Sequence, residues 1–103
     1  MDDPLADLKL SHFADRVHEK VKIHAGEMVL DAELTTVRSL GGSADFDAAG
    51  GRRPFSLIYR GPLTPILPQR IYPVEHPELG TLELFLVPVG PEQGGMQYEA
   101  VFT

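Results

Sequence analysis

The sequence predicts a small, mainly β fold: six antiparallel strands closed into a barrel or packed as a sandwich, with one short N-terminal helix. Three observations carry this expectation. Apolar runs at 55–60, 81–89 and 96–102 are separated by turns dense in Pro and Gly. Two further alternating runs, 20–25 and 28–37, flank Gly26-Glu27. With 103 residues the chain has room for one core, and six strands can cover their inner face only by curling or stacking.

Residues 1–10 read as a mobile lead-in and 11–103 as a single β domain. Ser11 to Val17 offers an N-cap Ser, a Phe13/Val17 pair at i,i+4 and Asp15 in the first turn, which suits one or two helical turns. Such a helix is too short to stand alone, so Phe13 and Val17 are expected to cover one open end of the sheet. From Lys20 the period becomes two: Val21, Ile23 and Ala25 share one face, Lys20, Lys22 and His24 the other. Gly26-Glu27 fits a two-residue type II′ turn. In the next strand Met28, Leu30, Ala32 and Leu34 share a face until Thr36-Val37 breaks the parity, as a bulge would.

The stretch 41–54, framed by paired glycines, has no periodicity and reads as a flexible excursion. Phe55, Leu57 and Tyr59 then alternate with Ser56, Ile58 and Arg60. Three prolines at 62, 65 and 68 cannot supply interior ladder donors, so this segment is expected to be a crossing loop or a ragged edge. Arg70 to Glu75 is extended again, with Pro73 placing it at an edge or a bulge. His76 to Gly80 reads as a turn into 81–89, which is apolar on both parities and is expected to be the most buried strand. After the turn "GPEQGG", Met96, Tyr98, Ala100 and Phe102 line one face of the last strand.

Composition excludes several classes of function. Hydrophobic content of 43% and charged content of 23% are those of an ordinary folded domain. The net charge of -6, and no basic run longer than Arg52-Arg53, argue against nucleic acid, whose binding rests on clustered cations. The first 50 residues carry ten acidic and five basic side chains, the rest five and four, so any basic patch belongs to the second half. Without Cys there is no disulfide, thiol nucleophile or thiolate metal site. No apolar run approaches the roughly 20 residues that span a bilayer, and the start, Met1-Asp2-Asp3-Pro4, is acidic where a signal peptide is basic. The expected location is cytoplasmic, with no membrane partner.

No catalytic, cofactor or metal site emerges. His18 and His24 share a strand face but would stand roughly 20 Å apart, too far for one ion. His12 and His76 could join them only through tertiary structure. All four histidines are therefore expected to be solvated, with His76 before Pro77 a turn residue. Glu75, His76 and Glu78 cluster, yet a turn attracts polar residues anyway, and an acid–base pair needs burial or a charge partner to separate its pKa values. Ser56 lacks the strained elbow of a hydrolase nucleophile, and "GGRRP" has neither the spacing nor the following helix of a phosphate loop. Catalysis would gain support only from His76 and a carboxylate converging in a cleft.

The candidate interaction surface lies around the Pro/Gly loops of the second half. Arg52, Arg53, Arg60 and Arg70 could form a patch for an anion or an acidic partner, or pair internally with Glu75, Glu78 or Glu83. Leu63, Ile66 and Leu67 lack evident strand partners. Their loop either folds over the barrel mouth, the preferred reading, or docks on another chain. Tyr59, Tyr72 and Tyr98 read first as core and second as interface anchors.

The strings "GGRRPFSLIYRGP", "LPQRIYPVEHPELGTLELFLVPVGP" and "MQYEAVF" carry a family resemblance. The chain resembles an uncharacterised family of bacterial proteins of about this length, which share a GGRxPFSLxFRGP, LPQxxYxxEHPxLGxLxLFLVPxGP and YEAVF-like signature. The likeness runs from Gly50 to Phe102; the start is similar only in outline, and Pro73 stands where the pattern has an ordinary strand residue. Such proteins are associated with gene neighbourhoods for phage-tail-like assemblies, which implies an accessory or structural role. The expected function is a non-enzymatic structural or protein-interaction module, partnered by another protein or by further copies of the chain. The alternative is a small-ligand-binding β-barrel with inward aromatics around a pocket.

Overall fold

A computed structural model describes residues 8–40 and 54–102. It contains a helix α1 (Leu10–Ala14) and strands β1 (Lys20–Ala25), β2 (Met28–Ser39), β3 (Phe55–Pro62), β4 (Arg70–His76), β5 (Gly80–Glu92) and β6 (Gly95–Phe102). Every pairing is antiparallel, and the sheet closes on itself in the order β1-β2-β3-β6-β5-β4. The architecture is a barrel, not a sandwich. Closure removes the free edges that a six-stranded open sheet would present.

The register follows the parities of the sequence. Ala25 pairs with Met28, so Gly26-Glu27 is the two-residue turn, and Gly26 takes the positive φ of 66° that its first position demands. Val21 and Ile23 face inward, as do Leu30, Ala32 and Leu34, while Met28 at the hairpin tip is exposed. The register between β2 and β3 shifts between Leu34 and Thr36, leaving Thr35 as the bulged residue, and its Oγ1 donates to the Ile58 carbonyl at 3.2 Å. The β5–β6 connection is shorter than "GPEQGG" suggested. Glu92 pairs with Gly95 across Gln93-Gly94, both at positive φ, and a second shift marks Val89 as a bulge.

Pro73 sits where its missing donor does no harm. β4 pairs with β5 along its length, but with β1 only at Val74 and Glu75, so the second ladder stops beside the proline. The most covered strand is β3, not β5: Phe55 through Tyr59 are all buried. In β5 only Leu82, Leu84 and Leu86 are buried, because the other parity forms the outer wall of the barrel with no layer over it.

Buried side chains line the barrel from one end to the other. At one end α1 drops Phe13, fully buried, onto Phe55 and Phe102, whose rings stack at 4.6 Å. The helix stops at Ala14, so Val17 leaves the expected i,i+4 relation and is exposed. Leu8 and Leu10, in the stretch read as a lead-in, are partly buried against the core. Leu34, Leu57, Tyr59, Leu84 and Tyr98 occupy the middle. The loop 63–69 crosses the other end from β3 to β4; there Leu67 is buried and its N–H donates to the Tyr98 hydroxyl at 2.9 Å. No helix among the described residues is long and apolar enough to cross a membrane.

Candidate functional site

The outer wall over β4, β5 and β6 carries an apolar row built by strand register. Ile71 of β4 stands opposite Phe85 of β5. The β5–β6 ladder begins with Val87 opposite Glu99, and Phe85 and Val101 lie two residues beyond it on the same outward parities. These three residues have outward parity on consecutive strands and retain 59%, 49% and 54% of their exposure. Scattered single exposed hydrophobics are ordinary, but three at outward positions of adjacent strands, two of them a register pair, form a surface. Half-buried Val87 extends it along β5.

The described residues of the predicted surface differ in exposure and in partners. Arg52 and Arg53 lie outside the described residues. Arg60 is engaged within the barrel wall: its Nη1 donates to Gln93 Oε1 at 3.1 Å, and its Nη2 lies 3.6 Å from Glu33 Oε1. Leu67 is core, at 3% exposure, because its loop folds over the barrel mouth. Leu63 and Ile66 of the same loop do remain exposed, as does Arg70, which has the inward parity of Tyr72 but sits at the rim. The crossing loop thus resolves both ways, residue by residue. Tyr59, Tyr72 and Tyr98 are all buried.

A second constellation was hidden in the residues read as a polar turn. His76 is not a solvated turn residue: it ends β4 on the inward parity and is 1% exposed. Its Nε2 lies 2.8 Å from the Tyr59 hydroxyl and its Nδ1 2.7 Å from Glu19 Oε1. Glu19 also meets Arg16 at 3.2 Å, and Arg16 reaches Glu78 at 2.9 Å. Glu75 and Glu78 therefore diverge from His76, and the carboxylate that does meet it lies 57 residues away. Glu75 turns outward to His24 instead.

The proton order along this chain follows from its surroundings. Burial, with Glu19 adding to it, pushes the Tyr59 phenol above its ordinary pKa, so it remains a donor. Burial lowers the pKa of His76 more than Glu19 raises it, so the ring is neutral. Tyr59 then donates to Nε2, and Nδ1–H donates to the Glu19 carboxylate; every polar atom is satisfied. A His–carboxylate pair of this kind resembles acid–base machinery. Here both ring nitrogens are engaged and the ring is covered. Glu19 lines a cleft of about 370 Å³ with Ser11, Arg16 and Glu78, but His76 and Tyr59 do not.

On the outer face of β2, Glu33 receives Lys20 at 2.6 Å and His18 at 2.8 Å, and these hydrogen bonds hold its carboxyl at about 2. Among the described residues no group of three or more His, Asp or Glu is arranged to hold a metal ion.

A family model described as a domain of unknown function, DUF6916, matches residues 8–102, and the chain belongs to that family. No curated protein and no solved structure matches the chain.

Proposed function

We propose that this domain is a non-enzymatic protein-interaction module that docks a partner on the outer wall of β4, β5 and β6. The observation that carries the reading is the register-built row Ile71, Phe85 and Val101, each about half exposed. Two further features support it. The lumen is occupied by Phe13, Phe55, Tyr59, Tyr98 and Phe102, which favours a solid scaffold over a ligand-holding barrel. The His–carboxylate pair within the barrel end is covered and fully hydrogen-bonded, so it serves as a clasp between β3, β4 and the entry to β1. The family resemblance adds an accessory role in a larger assembly of phage-tail-like type.

The test is affinity capture from the native cells with the unmodified chain and with Ile71→Ser/Phe85→Ser. The expected result is a retained partner that the variant loses, with little change in melting temperature, since both side chains are already exposed. A monomer that retrieves nothing, or equal capture by the variant, would defeat the proposal.

A further inference from the structure

Building on that docking reading, we infer that the partner presents an apolar anchor flanked by Lys or Arg, and that the wall is not docked on its own equivalent in a second copy. The argument comes from the carboxylates beside the apolar row. Glu83 has outward parity two residues before Phe85 and lies opposite Pro73. Glu99 has outward parity two residues before Val101 and lies opposite Val87. Neither has an ion pair among the described residues.

Of the other outward strand carboxylates, Glu92 at the end of β5 is likewise without an ion pair among the described residues, whereas three differ. Asp31 meets Lys22 at 2.8 Å, Glu33 meets Lys20 at 2.6 Å, and Glu75 meets His24 at 3.0 Å. Among the described residues no Lys or Arg has outward parity on β4, β5 or β6; Arg70, on the inward parity beside Ile71, is exposed only at the rim. On the neighbouring strands the described outward cations are Arg60 on β3, held by Glu33 and Gln93, and Arg38 on β2.

A surface that covers Phe85 must also take water from Glu83 and Glu99. An uncompensated carboxylate resists that burial strongly, so the occupant has to supply donors of its own. Guanidinium and ammonium groups are the complement. A second copy docking the same face by a two-fold axis would set two more carboxylates against these two, with Arg70 at the rim as the one described cation of these strands. Anionic lipid and nucleic acid phosphates fail on the same ground.

The experiment places a photoreactive benzoylphenylalanine at Phe85 in the full chain, cross-links in the native cells, and maps the adduct by mass spectrometry. It is repeated with Glu83→Gln/Glu99→Gln and with Glu83→Lys/Glu99→Lys, folding being checked by circular dichroism. The expected adduct lies in a partner segment with an apolar side chain between Lys or Arg residues. Its yield should fall about threefold in the Gln pair and about tenfold or more in the Lys pair, the scale of losing or reversing two interfacial charges. If the Lys pair does not fold, the Gln pair decides. An adduct indifferent to both pairs, one mapping to an acidic segment, or one of twice the chain's mass overturns the inferred partner chemistry while leaving the docking face standing. Absence of any adduct at Phe85 overturns both.

Discussion

The buried chain Tyr59–His76–Glu19 predicts how the stability of the fold responds to pH. His76 accepts from Tyr59 through Nε2 and is covered by Phe13, whose ring meets the imidazole edge-on at 5.9 Å. Protonating His76 would force the Tyr59 hydroxyl to turn its hydrogen away into the core, and would place a cation in an apolar pocket with one carboxylate beside it. The folded-state pKa therefore lies below the ordinary 6.5. As pH falls below 6.5, the unfolded chain takes up the proton first. Unfolding is then favoured, and stability is lost until the folded-state pKa is reached.

The slope in that window has an upper limit of about 1.4 kcal/mol per pH unit for one group. Against a domain stability of about 5–15 kcal/mol, this is a measurable fraction. The assay is urea unfolding followed by far-ultraviolet circular dichroism, since the chain has no Trp, at half-unit steps from pH 7.5 to 5. His76→Gln serves as the reference: it lacks the titrating ring but keeps a donor and an acceptor, so it should be less stable at pH 7 and flat relative to wild type below 6.5. The other histidines cancel in the difference. A wild-type curve parallel to that of His76→Gln would refute the reasoning, as would an NMR titration placing the His76 ring at or above 6.5.

Three further outcomes follow from the same coordinates. Glu33→Gln should flatten the acid limb of the stability curve between pH 4.5 and about 2, because the depressed carboxyl stabilises the fold above the upper value and loses that contribution as pH falls through the lower one. Gly95→Ala places a Cβ 2.6 Å from the Gly61 carbonyl and 2.5 Å from Arg60 Cγ; the side chain can move but the backbone cannot, so denaturant unfolding should register a loss of about 1–3 kcal/mol. Ser56→Ala removes a buried hydroxyl that has no hydrogen-bond partner among the described residues, so thermal melting should rise by an amount equivalent to about 0.5–1 kcal/mol; a loss of stability would mean that Oγ is satisfied.

How much of this was legible depends on which force set each residue. The barrel's inward parities were readable because alternation is dictated by burial: Val21 and Ile23, Leu30 to Leu34, and Leu57 with Tyr59 all point where the pattern placed them. The histidine clasp follows the same rule one step past the strand ends. Glu19 lies directly before Lys20, shares the parity of Val21, and accepts the Leu34 backbone N–H at its carbonyl. His76 shares the parity of Tyr72 and Val74. Reading the strands one residue longer would have aimed both side chains into the same barrel end. Their meeting still depended on tertiary closure, which no local pattern encodes.

The outer wall was hidden for a different reason. Apolar residues on both parities of 81–89 are equally consistent with a strand buried on two faces and with one that is wet on an apolar face. The ambiguity ends only when the layers are known, and here a single wall encloses a single core. Once the lumen has been filled by the inward parity, Phe85, Ile71 and Val101 have no place in that core. Whatever free energy their burial carries is therefore realised only against a second surface, and Glu83 and Glu99 restrict which surfaces can approach.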